Sequence, residues 1–246
     1  MDSENGIVIT AVNLDWQDLP LVDILQKKYE IPVYIANDSQ VSAMAEYKFG
    51  LAEKNSNLLV LKIGRGVGSG IILNNELFQG DGFGAGEIGH IKVEDNGAQC
   101  RCGNYGCLET RISSRAINKL AAKLSLDKKT KTLSPHPDSS PVTTEDVLAA
   151  YQSGDPEIVT IIQDAGFFLG QTLSFMISTL NINQIVIAGS VSVFGDGIIQ
   201  PALEALQGST LPAITKDVKI SSSSLGEEIV MLGAAGLVLH HELNIL

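Results

Sequence analysis

Apolar and polar positions along the chain follow the periods of strands and helices in turn, which predicts a mixed α/β protein. Continuous apolar runs at Leu58–Ile63 and Gln184–Ala188 predict buried strands. Residues 70–73 predict another strand beyond a glycine-rich turn, and Asn74-Asn75 predicts a hairpin into residues 76–78. Shorter apolar runs predict two further strands, at residues 6–10 and 31–35. Helical spacing predicts helices over residues 16–29, 41–49, Pro156–Leu180, 197–206 and 227–243.

The weakest pattern covers residues 126–143, where three lysines and three prolines lie among serines and threonines. Proline and small polar residues favour irregular backbone, and a helical pattern resumes at Thr144. We therefore expect an exposed loop between two helices here rather than a linker between domains.

Composition and charge narrow the class of protein. The 246 residues are 44% hydrophobic with a mean hydropathy of +0.17, which is typical of a globular chain. A net charge of -11 opposes contact with a phosphate backbone, so we do not expect this chain to grip DNA by itself. The acidic start at residues 1–4 does not resemble a secretion signal, and polar residues interrupt the apolar stretch 161–180. We expect a cytoplasmic protein without a membrane span.

All three cysteines fall within eight residues, in the sequence Cys100-Arg-Cys-Gly-Asn-Tyr-Gly-Cys107. Clustered cysteines in a cytosolic protein favour a metal site over a disulfide framework. The two glycines let the chain turn so that Cys107 can approach Cys100 and Cys102, and His90 would complete a tetrahedral zinc site. Four protein ligands leave no open position, so the ion would be structural. The alternative is three reduced thiols in a turn.

The segment Gly86-Glu87-Ile88-Gly89-His90, followed by the cysteine cluster and Leu108-Glu109, is similar to the signature of the ROK (repressor, open reading frame, kinase) family. Asn13-Leu14-x-Trp16, Asn37-Asp38, residues 64–70 and Ile187-Ala188-Gly189 also fall where motifs of that family fall. The resemblance covers nearly the whole chain. It implies an actin-like, hexokinase-like ATPase fold of two ribonuclease H-like lobes around a sugar cleft.

The resemblance implies that the first lobe is incomplete, with residues 1–50 as its remainder. Residues 51–246 would then form the C-terminal lobe, including the zinc loop at 90–109. The family's kinases begin with a phosphate-binding hairpin that would lie before Gly6, and its repressors carry a DNA-binding domain further upstream. We therefore expect a C-terminal portion of a longer protein, which contacts DNA only through an upstream domain and pairs as a homodimer.

The same resemblance assigns sugar contacts to Asn37, Asp38, Glu87, His90 and Glu109. Carboxylates accept hydrogen bonds from sugar hydroxyls, and an amide both donates and accepts. Taken singly, Glu87 and Glu109 could be solvated surface carboxylates, and Asn37-Asp38 could be a helix N-cap. In the family's kinases the aspartate matching Asp38 is the general base, whereas in its repressors it binds sugar.

The glycine-rich turn offers a nucleotide motif in altered form. Gly64, Gly66 and Gly68 could bring backbone amides close to phosphates, and Gly189 could serve the adenosine side, but a structural hairpin explains such glycines equally well. Arg65 stands where kinases have a small hydroxyl residue, and Ser190 interrupts their glycine run.

Two functions remain open. We expect a sugar-sensing effector domain of a transcriptional regulator with a structural zinc. The alternative is an ATP- and magnesium-dependent hexose kinase, of glucokinase or N-acetylhexosamine kinase type. A fragment with only a structural role fits poorly with so complete a set of sugar contacts.

Overall fold

The computed structural model describes residues 1–11, 14–51, 56–134 and 140–243. Asn13 and residues 135–139 of the predicted loop therefore lie outside the described residues. The strands are β1 (Val8–Ala11), β2 (Trp16–Leu19), β3 (Leu58–Ile63), β4 (Val67–Leu73), β5 (Glu76–Leu77), β6 (Gln184–Ala188) and β7 (Lys219–Ser222). The α-helices are α1 (Leu21–Tyr29), α2 (Asp38–Phe49), α3 (Glu109–Ile112), α4 (Ser114–Leu126), α5 (Thr144–Gln152), α6 (Pro156–Leu180), α7 (Asp196–Ser209), α8 (Pro212–Thr215) and α9 (Ile229–Leu243). Short 3-10 turns cover Ile88–His90, Ser190–Phe194 and Gly226–Glu228.

A five-stranded mixed sheet forms the centre, in the order β5-β4-β3-β6-β7. β3 pairs antiparallel with β4 across the glycine turn and parallel with β6. Parallel pairing requires a long crossover, which α3 to α6 supply between β3–β4 and β6. β1 and β2 pair in a separate two-stranded sheet.

Side chains of β3 alternate between two apolar layers. Leu59, Leu61 and Ile63 pack in the large core beneath α4 to α7, while Leu58 and Val60 pack on the opposite face against α2 and α9. All five are fully buried, and each contributes about 1.5–3 kcal/mol relative to an exposed position. By the same alternation, Lys62 lies on the α2 side of the sheet.

Helix α6 contributes many residues to the hydrophobic core beneath this sheet. By length and composition it would pass as a membrane-crossing helix, but 56% of its most apolar window is buried within the protein. Ten of its residues, including Ile158, Leu169 and Ile177, are buried, and the helix packs mainly along α7. This agrees with the prediction of a buried core helix.

Three predicted elements differ in the structure. Residues 16–29 are not one helix, because Trp16–Leu19 pairs with β1 and the helix begins only after Pro20. Residues 31–35, all of them described, form no strand; the chain there runs as coil towards Asn37. The final helix begins at Ile229 after a 3-10 turn.

Candidate functional site

Residues 90–109 bring the three cysteines and His90 together. Antiparallel bridges between Lys92 and Cys107 and between Gln99 and Tyr105 fold the loop back on itself. Gly103 and Gly106 have φ of 94° and 73°, a conformation that L side chains rarely adopt, so glycine is required at both turns. The loop thereby returns Cys107 to the side of Cys102.

The four candidate ligands form a compact cluster that could hold a metal ion. One ligand atom from each of His90, Cys100, Cys102 and Cys107 lies within 4.8 Å of the others. Cys102 Sγ is 3.7 Å from Cys107 Sγ, and Cys100 Sγ is 3.6 Å from His90 Nδ1. A zinc–sulfur bond of about 2.3 Å in a tetrahedron gives ligand separations of about 3.8 Å, so the donors present fit zinc.

Burial and the neighbouring thiols change the pKa of each cysteine in the cluster. Burial and the neighbouring thiols of Cys102 and Cys100 raise the pKa of Cys107 to about 12. Burial likewise raises the pKa of Cys100. Burial opposes ionisation of Cys102 as well, but a hydrogen bond from the Asn104 backbone and the adjacent thiols lower the pKa of Cys102. A divalent cation would displace these protons and stabilise the three thiolates together.

A continuous line of polar contacts leads from this cluster to the start of α2. The second ring nitrogen of His90, Nε2, lies 3.9 Å from Glu87 Oε2. Glu87 Oε1 in turn accepts a hydrogen bond of 3.4 Å from Asn37 Nδ2. Asn37 is also the N-cap position of α2, where Gln40 Oε1 accepts from its backbone N–H at 3.4 Å. The helix-cap and ligand-contact interpretations of Asn37 are thus compatible.

Glu109 joins the cluster to the glycine turn. Its Oε1 lies 3.9 Å from Cys100 Sγ, and its Oε2 accepts a 3.1 Å hydrogen bond from the backbone N–H of Val67. A β-carbon at Gly66 would lie 3.0 Å from that same Oε2, so the carboxylate itself accounts for a glycine there. Glu109 is therefore a held carboxylate and not a freely solvated one.

Asp38 lies beside Asn37 but pairs elsewhere. Its Oδ2 accepts a hydrogen bond of 2.6 Å from Lys62 Nζ, and the two form an ion pair. Sequence reasoning overlooked Lys62, although a lysine inside the apolar run Leu-Leu-Val-Leu-Lys-Ile was a visible signal.

Two cavities adjoin the carboxyl ends of β3 and β6. One, of about 370 Å³, is lined by Lys62, Gly189 and Ser190 together with the start of α9. The other, of about 630 Å³, is lined by Arg65 and by Arg115 and Lys119 of α4, and the two cavities share Thr144, Glu145 and Ser190. Arg65 therefore faces the second cavity and does not line the first. Gly64 lies in the turn between β3 and β4, whereas Gly68 lies in β4 and pairs with Lys62 of β3.

A sequence profile of the ROK family matches residues 1–241. The chain belongs to the ROK family. The resemblance seen in the motifs is confirmed, and with it the actin-like, hexokinase-like ATPase fold.

Relatives in this family include both kinases and regulators. The chain is 32% identical to a glucokinase of Halalkalibacterium halodurans, over 98% of this chain and 74% of that protein. A ROK family transcriptional regulator, a homologue of the Escherichia coli MLC protein, superposes with a TM-score of 0.84 at 32% identity, over 96% of this chain and 59% of the regulator. A ROK glucokinase from Streptomyces griseus in complex with glucose and AMPPNP gives a TM-score of 0.83 at 26% identity, over 96% of this chain and 78% of the kinase. The chain thus spans about three-fifths of the regulator and three-quarters of the kinases.

Proposed function

We propose that this chain is the sugar-sensing portion of a ROK-family transcriptional regulator, with a structural zinc that organises its sugar site. The zinc would be held by His90, Cys100, Cys102 and Cys107, whose ligand atoms lie within 4.8 Å of one another. It would lock the loop that carries Glu109, and it would fix the ring of His90 so that Nε2 faces Glu87. Four protein ligands leave it no open position for hydrolytic chemistry.

The sugar would bind along the line of contacts that runs from Asn37 through Glu87 and His90 to Glu109. Asp38 lies next to Asn37, at the start of this line. Carboxylates that converge on one site suit the adjacent hydroxyls of a hexose or hexose derivative. The glucose complex of the Streptomyces griseus kinase, whose fold this chain shares, supports a sugar as the ligand class.

The observation that carries the sensor over the kinase is the ion pair of Asp38 and Lys62. A kinase base must take the proton of a sugar hydroxyl, but one of the two Asp38 oxygens is already occupied by the ammonium at 2.6 Å. The backbone N–H of Val67, which follows the glycine turn and begins β4, is likewise occupied, by Glu109, and is not offered to a phosphate. Both arrangements suit binding better than turnover.

A sensor would act through the two lobes. A sugar that binds one arrangement of the lobes more tightly than another shifts the population towards it, and a DNA-binding domain carried elsewhere in the protein would respond. Contact with DNA through such a domain, pairing as a homodimer and a cytoplasmic location stay predictions.

A hexose kinase is the second candidate, favoured by the 32% identity to a glucokinase and by the cavity beside Gly189. In that case Asp38 would be the general base. The turn with Gly64 and Gly66, together with Gly68 near the start of β4, would face the phosphates of ATP bound with magnesium, and Gly189 would face its adenosine.

Phosphorylation assays with ATP, magnesium and a panel of hexoses separate the two candidates. We expect sugar binding by calorimetry without turnover, whereas about 1 per second or more, the low end for kinases, would contradict the sensor. Asp38→Asn sharpens the comparison. In a kinase, loss of the base would cut turnover by about 10²–10⁴-fold, whereas in a sensor the substitution changes only the affinity for sugar.

Metal analysis tests the zinc separately. We expect one zinc per chain in protein purified without chelator, and its loss in Cys107→Ser with a lower melting temperature. For a chain of this size, each 1 kcal/mol lost lowers that temperature by about 2–4 °C. Wild-type protein that contains no metal would contradict the proposed zinc site.

A further inference from the structure

The three thiols of the cysteine cluster differ in their exposure to solvent. Cys102 is exposed, whereas Cys100 and Cys107 are buried. Gly103, directly after Cys102, is exposed as well, and a β-carbon there would meet no heavy atom of the described structure within 4 Å apart from its chain neighbours. A small molecule in solution therefore reaches the sulfur of Cys102 before the other two.

The exposed thiol has a buried thiol beside it. Cys102 Sγ is 3.7 Å from Cys107 Sγ, and a disulfide requires a separation of about 2.0 Å. The backbone next to Cys102 has room to close the difference, because Gly103 lies in open space and glycine adopts a wide range of backbone conformations. Cys102 and Cys107 are thus placed to join with a local movement of the loop.

Cys100 has different neighbours. Its Sγ lies 3.6 Å from His90 Nδ1 and 3.9 Å from Glu109 Oε1. His90 and Glu109 are both proposed sugar contacts, so Cys100 adjoins the sugar side of the cluster. The pair that can react with a reagent from solvent is therefore the exposed Cys102 with Cys107.

From this arrangement we propose that Cys102 and Cys107 form a reversible disulfide when the chain meets a hydroperoxide, and that this oxidation releases the zinc and weakens sugar binding. The disulfide site rests on the cysteine cluster alone. Its effect on sugar rests on the proposed function. The sensor would then respond to sugar only while the pair is reduced.

The reaction with hydrogen peroxide takes two displacements. The Cys102 thiolate attacks one peroxide oxygen, so that an S–O bond forms, the O–O bond breaks and hydroxide leaves. The Cys107 thiolate then attacks the sulfur of this sulfenic acid, the S–S bond forms, the S–O bond breaks and a second hydroxide leaves. Two thiolates have lost two electrons in all, the peroxide has gained them, and solvent protonates both hydroxides to water. A thiol reductant reverses the oxidation by exchange.

Oxidation would dismantle the metal site from one side. The thiolate is the form of cysteine that binds metal, so the disulfide would leave only His90 and Cys100 as ligands. A single residue separates Cys107 from Glu109, whose carboxylate is bonded to the backbone N–H of Val67. Movement of Cys107 would therefore shift Glu109 within the proposed sugar site.

Peptide mapping of the zinc-loaded chain after treatment with hydrogen peroxide tests the disulfide. Trypsin cleaves after Arg101, so Cys100 falls in the peptide 93–101, and both Cys102 and Cys107 fall in the peptide 102–111. We expect the peptide 102–111 to lose about two mass units, the two hydrogens of a disulfide, and to regain them with dithiothreitol. A link between the two peptides would overturn the assignment, because Cys100 would then be a partner.

A chromogenic chelator in the same reaction measures the release of zinc, which we expect to keep pace with the disulfide. Two variants identify the pair. Cys100→Ser retains both partners and should still form the disulfide, whereas Cys102→Ser should not. If either variant fails to fold, the map of the wild-type chain still decides. Thiols that stay reduced and keep their zinc, at a peroxide dose that oxidises glutathione in the same solution, would overturn the proposal.

Calorimetry of the reduced and oxidised chains, with a sugar that the reduced chain binds, measures the consequence for the sensor. We expect binding about tenfold or more weaker after oxidation, as for the loss of a residue that orients a metal site, and recovery after reduction and reloading with zinc. Equal affinity in both forms would overturn the coupling. If neither form binds any sugar, the proposed function fails together with the coupling, while the peptide map still decides the disulfide.

Discussion

The carboxylate of Glu109 accepts a hydrogen bond of 3.1 Å from the backbone N–H of Val67, the residue that begins β4. Because Glu109 follows Cys107 by two residues and approaches Cys100 to 3.9 Å, this bond connects the cysteine cluster to the glycine turn. The Glu109 carboxylate thus contacts both the cysteine cluster and the residue that follows the glycine-rich turn.

Gly66→Ala tests whether the turn serves Glu109 or a nucleotide. The new β-carbon would lie 3.0 Å from Glu109 Oε2, so the carboxylate must shift by a few tenths of an ångström. We expect severalfold weaker sugar binding in calorimetry. Gly82→Ala is the matched control, since no heavy atom of the described structure apart from its chain neighbours lies within 4 Å of its β-carbon. Unchanged sugar affinity with weaker ATP binding would favour the nucleotide interpretation instead.

Metal affinity should rise with pH. Metal-free Cys107, with its pKa raised to about 12 by burial and the adjacent thiols, keeps its proton throughout the neutral range, so a binding metal must displace that proton. Each displaced proton weakens binding by up to about tenfold for every unit by which the pH falls. Zinc titrations in buffers of different ionisation enthalpy measure the release. Equal affinity at acidic and alkaline pH would contradict thiolate ligation.

Asp155→Asn should destabilise the fold away from the site. The buried Asp155 carboxylate accepts bonds from Thr130, Thr132 and the backbone N–H groups of Lys131 and Glu157, which tie the loop after α4 to the start of α6. Burial alone would raise its pKa, but these bonds outweigh burial and hold the pKa of Asp155 well below its usual range. We expect the substitution to lower the free energy of unfolding at neutral pH by about 1–3 kcal/mol.

The sign of the pH dependence follows from that lowered pKa. The contribution of Asp155 is fully present above the unfolded value of about 3.9 and is lost as the pH falls towards the lower folded value. The stabilities of wild type and variant in urea unfolding should therefore begin to converge below about pH 4. Asp217→Asn, at an exposed and distant carboxylate, is the control. A gap between wild type and Asp155→Asn that stays constant down to low pH would refute the assignment.

Elements that are determined by local sequence pattern were predicted most accurately. Apolar runs located β3, β6 and α6 with their observed bounds, because buried strands and a core helix need uninterrupted apolar residues. The close spacing of Cys100, Cys102 and Cys107 likewise predicted their clustering.

Features that depend on tertiary pairing were harder to predict. β2 was mistaken for the start of a helix, since only its pairing with β1 reveals a strand. β7, with the polar sequence Lys-Ile-Ser-Ser, was missed because it is an edge strand with little apolar signal. The ion pair of Lys62 and Asp38 joins residues 24 positions apart, and no local pattern indicates it.

Calorimetric titration of the zinc-loaded chain with a panel of hexoses and their derivatives, comparing wild type with Glu109→Gln, tests the central claim most directly. Glutamine keeps the acceptor for Val67 and so preserves the fold, but it removes the charge that a sugar hydroxyl would meet. We expect wild type to bind a sugar and Glu109→Gln to bind it about tenfold or more weakly, while Glu157→Gln, an exposed glutamate on α6, binds like wild type. Equal affinity in wild type and Glu109→Gln, or no binding of any sugar by wild type, would contradict a sugar site organised by this metal cluster.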